Sequence, residues 1–307
     1  MPSWEIPKEA PSSTGGGFLI LSADTNHLQN SLVEPIKSLG QFSLKESRDR
    51  PAQIAKYLLL DEARMTGLTF LGTSGSVLTK ERMCAGILFE DKLIDVGFGV
   101  LVNLVKSGAR LDSINDVYIS HTHSDHIGDF TGLIWAMAME NRTKPLRIVS
   151  SASTAAALKK ILGLQSTPPS FVKFEIAFVR PEDASVKWVT TIHDPENLAY
   201  RFQTERGDLV YIGDTAKSEK ISEFARGCDL LILDATFLDG QESLAAVTLH
   251  STARDAGNMA KLARARRLVL THISPGNEGA EKRYLAEASA SFDGRIVVAK
   301  DHQRLPV

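Results

Sequence analysis

A chain of 307 residues, 43% of them hydrophobic, is long enough to bury one large core or two smaller ones. Lys plus Arg number 35 against 37 Asp plus Glu, so net charge gives no push toward nucleic acid or an anionic membrane. Two cysteines, Cys84 and Cys228, make neither a disulfide framework nor a thiolate metal cluster, a usage that fits the reducing cytoplasm.

The first residues, from Met1 to Glu9, lack the basic and apolar regions of a secretory signal. No apolar run is long enough to span a bilayer, so a soluble cytoplasmic protein with no membrane partner is expected. Residues 1–66 read as an N-terminal extension of undisclosed role, with turn-forming residues at 11–17, a short strand at 18–21 and helical patterns at 26–39 and 52–64. From Gly67 the character changes, and residues 67–307 read as one domain. Strands are predicted at 68–71, 85–89 and 93–96, with Glu90-Asp91-Lys92 as a hairpin turn. A helix at 99–107 leads to a strand at 116–120, then come a helix at 129–141, a strand at 146–149 and a helix at 154–162. After the loop at 167–170, strands follow near 171–179, 186–192, 199–202, 209–212 and 230–233. A helix over 252–265 opens on Ser251-Thr252, with Asp255 as a capping-box partner. A strand at 268–270, a helix at 278–290 and a strand at 295–298 complete the series. Early hairpins and later strand–helix alternation predict an α/β domain with mixed sheets.

The run His121-Thr122-His123-Ser124-Asp125-His126 places three imidazoles and a carboxylate on the loop leaving the strand at 116–120. In extended backbone residues i and i+2 point the same way, so His121 and His123 can hold one ion together. A turn after them would aim Asp125 and His126 at a neighbouring point. Imidazole and carboxylate suit a borderline divalent ion such as zinc, and an incomplete protein shell leaves room for water. A lone His is usually a packed or solvated side chain, but four ligand types in six positions are hard to read that way. His193, Asp214 (after Gly213) and His272 stand at further predicted strand ends. Each alone is weak, yet together they make five His and two Asp, enough for two ions sharing a carboxylate.

This pattern resembles the metallo-β-lactamase superfamily over roughly residues 67–307. The resemblance implies a four-layer αββα sandwich of two mixed β-sheets with outer helices, and metals at the sheet edges. It implies His121, His123 and His193 on one ion, Asp125, His126 and His272 on the other, and Asp214 bridging both. Asp95 matches an early Asp that supports such sites without binding metal. Members with di-iron redox chemistry carry Glu where this chain has His123, so the imidazole favours zinc and hydrolysis, with manganese or iron as alternative occupants. Two divalent ions would lower the pKa of a shared water, and Asp125 would also orient it. A homodimer is implied as well.

The leaving group needs a proton, and His250 is the candidate donor. A helix-capping or packing His is the competing explanation. The stretch around His250, the Leu-Val-Leu-Thr-His-Ile-Ser-Pro at 268–275 and the segment 229–237 are similar to the ribonuclease Z branch of the superfamily. In that branch a Glu that orients the extra His commonly stands where this chain has Asp234. Two departures turn the expectation away from tRNA. The branch commonly carries a long tRNA-gripping arm between the third-motif His and the bridging Asp, whereas His193 and Asp214 are only 21 apart. After Ser274 the branch often continues to an Arg and an aromatic, whereas this chain has Pro275-Gly276-Asn277. Near-neutral charge also leaves a tRNA body without an evident footprint. The expected substrate is therefore a small-molecule ester, foremost a phosphodiester. A tRNA 3′-end endonuclease comes second, then an arylsulfatase or lactonase, and a non-catalytic metal-binding protein is the reading from another class. Ser74 and Ser76 either face the cleft or serve the turn.

Overall fold

The computed structural model describes residues 67–165 and 171–307. The elements expected within 1–66 and the loop at 167–170 lie outside the described residues. The first sheet holds β1 (Gly67–Gly72), β2 (Gly86–Phe89), β3 (Lys92–Ile94), β4 (Asp116–Tyr118), β5 (Leu146–Val149) and β6 (Ile176–Val179). The C-terminal β13 (Arg304–Pro306), which was not expected, joins its edge beside β1. The second sheet holds β7 (Lys187–Thr190), β8 (Leu198–Thr204), β9 (Gly207–Ile212), β10 (Leu230–Asp234), β11 (Arg267–Thr271) and β12 (Arg295–Val298).

Each sheet is antiparallel at one side and parallel at the other. Parallel neighbours need a crossover, and helices supply each one that is fully described. In the first sheet α1 (Val100–Lys106) joins β3 to β4, with α2 (Ser124–Ile127) and α3 (Phe130–Met139) before β5. After β5 comes α4 (Ala152–Leu164). In the second sheet α5 (Glu219–Phe224) precedes β10, α6 (Glu242–Thr248) and α7 (Ala253–Ala263) precede β11, and α8 (Glu281–Ser289) precedes β12. The capping box at the start of α7 forms as expected between Thr252 and Asp255.

Three buried clusters separate four layers. Phe70, Phe89 and Tyr118 of the first sheet meet Tyr200, Phe202 and Tyr211 of the second, and Tyr118 and Phe202 pack edge to face with ring centroids 4.9 Å apart. On the outside of the first sheet, Val117 and Ile148 pack beneath Leu104, Phe130 and Leu158. Outside the second, Leu231, Leu233 and Leu270 pack beneath Ile221, Met259 and Tyr284. Alternation along a strand sends Leu230 and Ile232 inward and Leu231 and Leu233 outward. With both faces covered, such a strand reads as a continuous apolar run. This is the αββα sandwich that the superfamily resemblance implied. Two strands end earlier than expected: β4 stops at Tyr118 because the Ser120 N–H goes to the Asp95 carboxylate, and β7 ends as the Ile192 N–H leaves the ladder for the Thr215 hydroxyl (3.2 Å). No described helix is long and apolar enough to cross a membrane.

Candidate metal centre

β4 delivers the histidine run to the edge between the sheets. Asp95, one residue past β3 with φ 56°, accepts hydrogen bonds from Ser120 N (2.8 Å), Ser120 Oγ (2.9 Å) and Tyr211 Oη (2.7 Å). The chain then turns into α2 with His123 at its N-cap, which swings Asp125 and His126 back toward His121. From the second sheet, His193 follows β7, Asp214 follows β9 and His272 follows β11 directly. Side chains from the two sheets therefore converge on one point.

The convergence resolves into two groups around Asp214. Asp214 Oδ2 stands 3.6 Å from His121 Nε2 and 3.6 Å from His193 Nε2, and His193 Nε2 is 3.3 Å from His123 Nδ1. Asp214 Oδ1 stands 3.3 Å from His126 Nε2 and 3.2 Å from His272 Nε2, while Asp125 Oδ2 is 3.2 Å from His272 Nε2. One carboxylate thus turns one oxygen to each group. Ligand atoms about 2.0–2.1 Å from a tetrahedral ion stand about 3.3 Å from one another, and the observed spacings match. His121 Nε2, in the first group, and Asp214 Oδ1, facing the second, are buried without a hydrogen-bond partner, a costly state for polar atoms that a cation in each group would relieve. The residues present fit two divalent ions.

The outer nitrogens fix the rings. His126 Nδ1 donates to Asp95 Oδ2 (2.9 Å), and His193 Nδ1 donates to the Leu249 carbonyl (3.3 Å). Thr236 Oγ1 gives its proton to Asp234 Oδ1 (2.6 Å) and so accepts from His272 Nδ1 (2.8 Å). Ser120 Oγ donates to Asp95 and so accepts from His121 Nδ1 (3.0 Å). In each case the Nε2 lone pair is left pointing inward, the arrangement that metal-binding histidines need. Burial, seconded by His126, pushes His121 well below the usual imidazole range, and burial also lowers His193. For His126 burial opposes the charged form, but Asp214 and Asp95 raise it well above that range. Burial likewise opposes the Asp125 and Asp214 carboxylates, and the imidazoles of His272 and His126 nevertheless hold both below the ordinary carboxylate range.

His250 follows the left-handed Leu249 (φ 58°) that ends α6. Its Nδ1 lies 2.9 Å from Asp234 Oδ2, and its ring stacks on His272 with centroids 5.1 Å apart. Asp234, fully buried at the end of β10, also accepts from Thr215 N, Thr236 N, Thr236 Oγ1 and Ser251 N. These bonds saturate its oxygens, so Asp234 is a hydrogen-bond acceptor for His250 rather than a third metal ligand, although the pair lies within 4.8 Å of Asp214 and His272. An open cleft of about 530 Å³ lies over the groups, lined by Ser76, His123, Asp125, His193, Asp194 and the 247–250 segment among others.

The sequence profile of the beta-lactamase superfamily domain matches residues 92–273. The chain belongs to the metallo-β-lactamase superfamily. It is a hydrolase of that superfamily, similar to a ribonuclease Z of Haloarcula marismortui (26% identical, covering 76% of this chain and 94% of the relative). A ribonuclease Z of Natronomonas pharaonis is 28% identical over 76% of this chain and 95% of its own. Among solved structures, YhfI from Bacillus subtilis superposes with a TM-score of 0.69 at 25% identity, covering 78% of this chain and 98% of that one. The short form of human tRNase Z superposes at 0.64 with 22% identity, over 78% of this chain and 98% of that one, a likeness of fold.

Every residue that the superfamily resemblance singled out is thus gathered at one place, His250 and Asp234 included. Of the two early serines, Ser76 lines the cleft and its N–H bonds Asp125 Oδ2 (2.6 Å), whereas Ser74 is buried and its hydroxyl serves the turn by bonding the Val77 carbonyl (2.7 Å). Sequence reasoning missed Tyr211, Ser120, Thr236 and the Leu249 carbonyl. Period-two alternation from Leu209 does place Tyr211 on the inner face, but nothing in the sequence pairs it with Asp95 across the sandwich.

Proposed function

We propose that this chain is a two-metal phosphodiesterase of the ribonuclease Z type that cleaves the 3′ end of precursor tRNA, with zinc as the resident ion. The observation that carries the reading is Asp214 turning one oxygen to each His/Asp group while the His250–Asp234 pair stands at the same cleft. His121, His123 and His193 would hold one ion, Asp125, His126 and His272 the other, with Asp214 shared between them. Two such ions supply an activated water and polarise the phosphoryl oxygen. Asp125, steadied by the Ser76 N–H, orients the attacking oxygen from its side of the cleft. His250 gives a proton from Nε2 to the leaving oxygen, with Nδ1–H fixed by Asp234. The shorter Asp234 reaches His250 without the extra methylene that a Glu would supply. Catalysis is assigned to residues 67–307, and the superfamily match lies wholly inside them. A homodimer in the cytoplasm belongs to the same reading.

The relatives named ribonuclease Z favour tRNA over the small diesters that the sequence put first. Small phosphodiesters stay as a second reading on a specific observation. The interval from His193 to Asp214 is filled by β8, β9 and their short turn, and no Lys or Arg lines the cleft among the described residues. The match to the Haloarcula protein runs over 294 positions yet takes up 76% of this chain, so that relative carries residues without a counterpart here. The test is turnover by the zinc-loaded full chain on a precursor tRNA with a 3′ trailer, bis-p-nitrophenyl phosphate, a cyclic nucleotide, an aryl sulfate and a lactone. Trailer removal is expected. Intact tRNA alongside cleavage of a small diester would transfer the assignment to the second reading.

A further inference from the structure

The loop between β1 and β2 touches the second metal group at two points. Ser76, held at a left-handed φ of 64°, gives its N–H to Asp125 Oδ2. Gly75 lies flat against His272, where a Cβ would stand 2.6 Å from Nδ1, and its N–H bonds the Ile273 carbonyl (3.0 Å). A serine in a left-handed conformation stays there only if its surroundings over-determine it. Those surroundings include a buried polar chain at the base of the loop. Arg82, 4% exposed, donates through Nη1 to Thr73 Oγ1 (2.7 Å) and the Ala299 carbonyl (2.6 Å), and through Nη2 to Glu281 Oε1 (3.2 Å). Thr73 Oγ1 passes its own proton to Asp301 Oδ1 (2.7 Å), and Asp301 Oδ2 accepts from Met83 N (2.7 Å) and Asn103 Nδ2 (3.1 Å). Both feet of the loop, residues 73 and 82–83, are therefore fastened to the segment 299–301.

We infer that the Arg82–Thr73–Asp301 chain is a positioning device that sets Ser76 N–H on Asp125 and so tunes the second metal group, leaving the first untouched. The inference rests on the two-metal reading above. None of the three residues lines the cleft, and none could reach a substrate there. The asymmetry is its distinguishing mark, because His121, His123 and His193 take no contact from this loop among the hydrogen bonds of the described residues.

Thr73→Val removes the hydroxyl at nearly constant shape, and Thr73→Ser keeps it. Zinc is titrated into each full chain against a chromophoric chelator, and amide exchange over residues 73–83 is followed by mass spectrometry on the metal-free protein. The expected result for Thr73→Val is a loss of about 10–100-fold in affinity for one of two zinc ions, with the other unchanged. Exchange across the loop should rise in the same variant, and Thr73→Ser should restore both. If Thr73→Val does not fold, Glu281→Gln loosens only the outer end of the Arg82 grip and is expected to shift the same ion by a smaller factor. Equal weakening of both ions, unchanged affinities or unchanged loop exchange would overturn the assignment. A wild-type chain that takes up fewer than two ions removes the two-metal reading itself, and the proposal with it, before any variant is compared.

Discussion

A single hydrogen bond separates His250 from an ordinary helix-flanking imidazole. Burial disfavours its charged form, but the Asp234 carboxylate prevails and pushes it up to about 9. His250→Ala should lower kcat on a phosphodiester by about 10²–10⁴-fold while two zinc ions stay bound. Asp234→Asn should act in the same direction, and the double variant should be little worse than His250→Ala alone, since both act on one proton. Equal kcat in His250→Ala would return this residue to a packing role. The thiols make a separate test. Burial first, with Asp229 adding and Arg201 opposing, raises Cys228 from 9.0 to about 12, and Cys84 is raised as far. Both are fully buried, so neither should react with a thiol reagent at pH 8 until the chain unfolds. A thiol raised in the folded state favours the fold below the unfolded value of 9.0, and that contribution is lost as pH climbs toward about 12. Cys228→Ala should therefore flatten the fall in melting temperature across that range.

At the scale of elements, close backbone approach decides where small residues must stand. In α7 a Cβ on Gly257 would meet the Ala288 carbonyl oxygen of α8 at 2.3 Å. An alanine in place of glycine usually steadies an exposed helix by about 0.5–1 kcal/mol. Here Gly257→Ala should instead destabilise by about 1–3 kcal/mol, read from denaturant melts, because two helices must move apart. The same packing explains which elements were legible in advance. Strands such as β10 and β11, covered on both faces, show as unbroken apolar runs, and the Thr252–Asp255 box marks the start of α7 to the residue. The helices α2 and α5 span only 4 and 6 residues, too short to establish a period against their loops. β13 is three residues whose pairing with β1 depends on contacts across the whole chain.

For the whole molecule, the candidate centre is a clasp between two sheets. His121, His123, Asp125 and His126 come from the first, and His193, Asp214 and His272 from the second, so ions held among them bind only when the sandwich is assembled. Binding to the folded state alone stabilises it by about 2.7 kcal/mol at a free-ion concentration a hundred times Kd. Chelation should therefore lower the melting temperature, and zinc should restore it. The candidate ligand set was legible because metal chemistry needs particular residue types at strand ends, which local patterns reveal. The supports were not, because Tyr211 meets Asp95 and Arg82 meets Ala299 only through tertiary folding. The most direct test is the zinc stoichiometry of the full chain by native mass spectrometry at saturating zinc. Two ions per chain are predicted, falling in Asp214→Ala, whereas a wild-type chain holding one ion or none would contradict the shared-carboxylate centre.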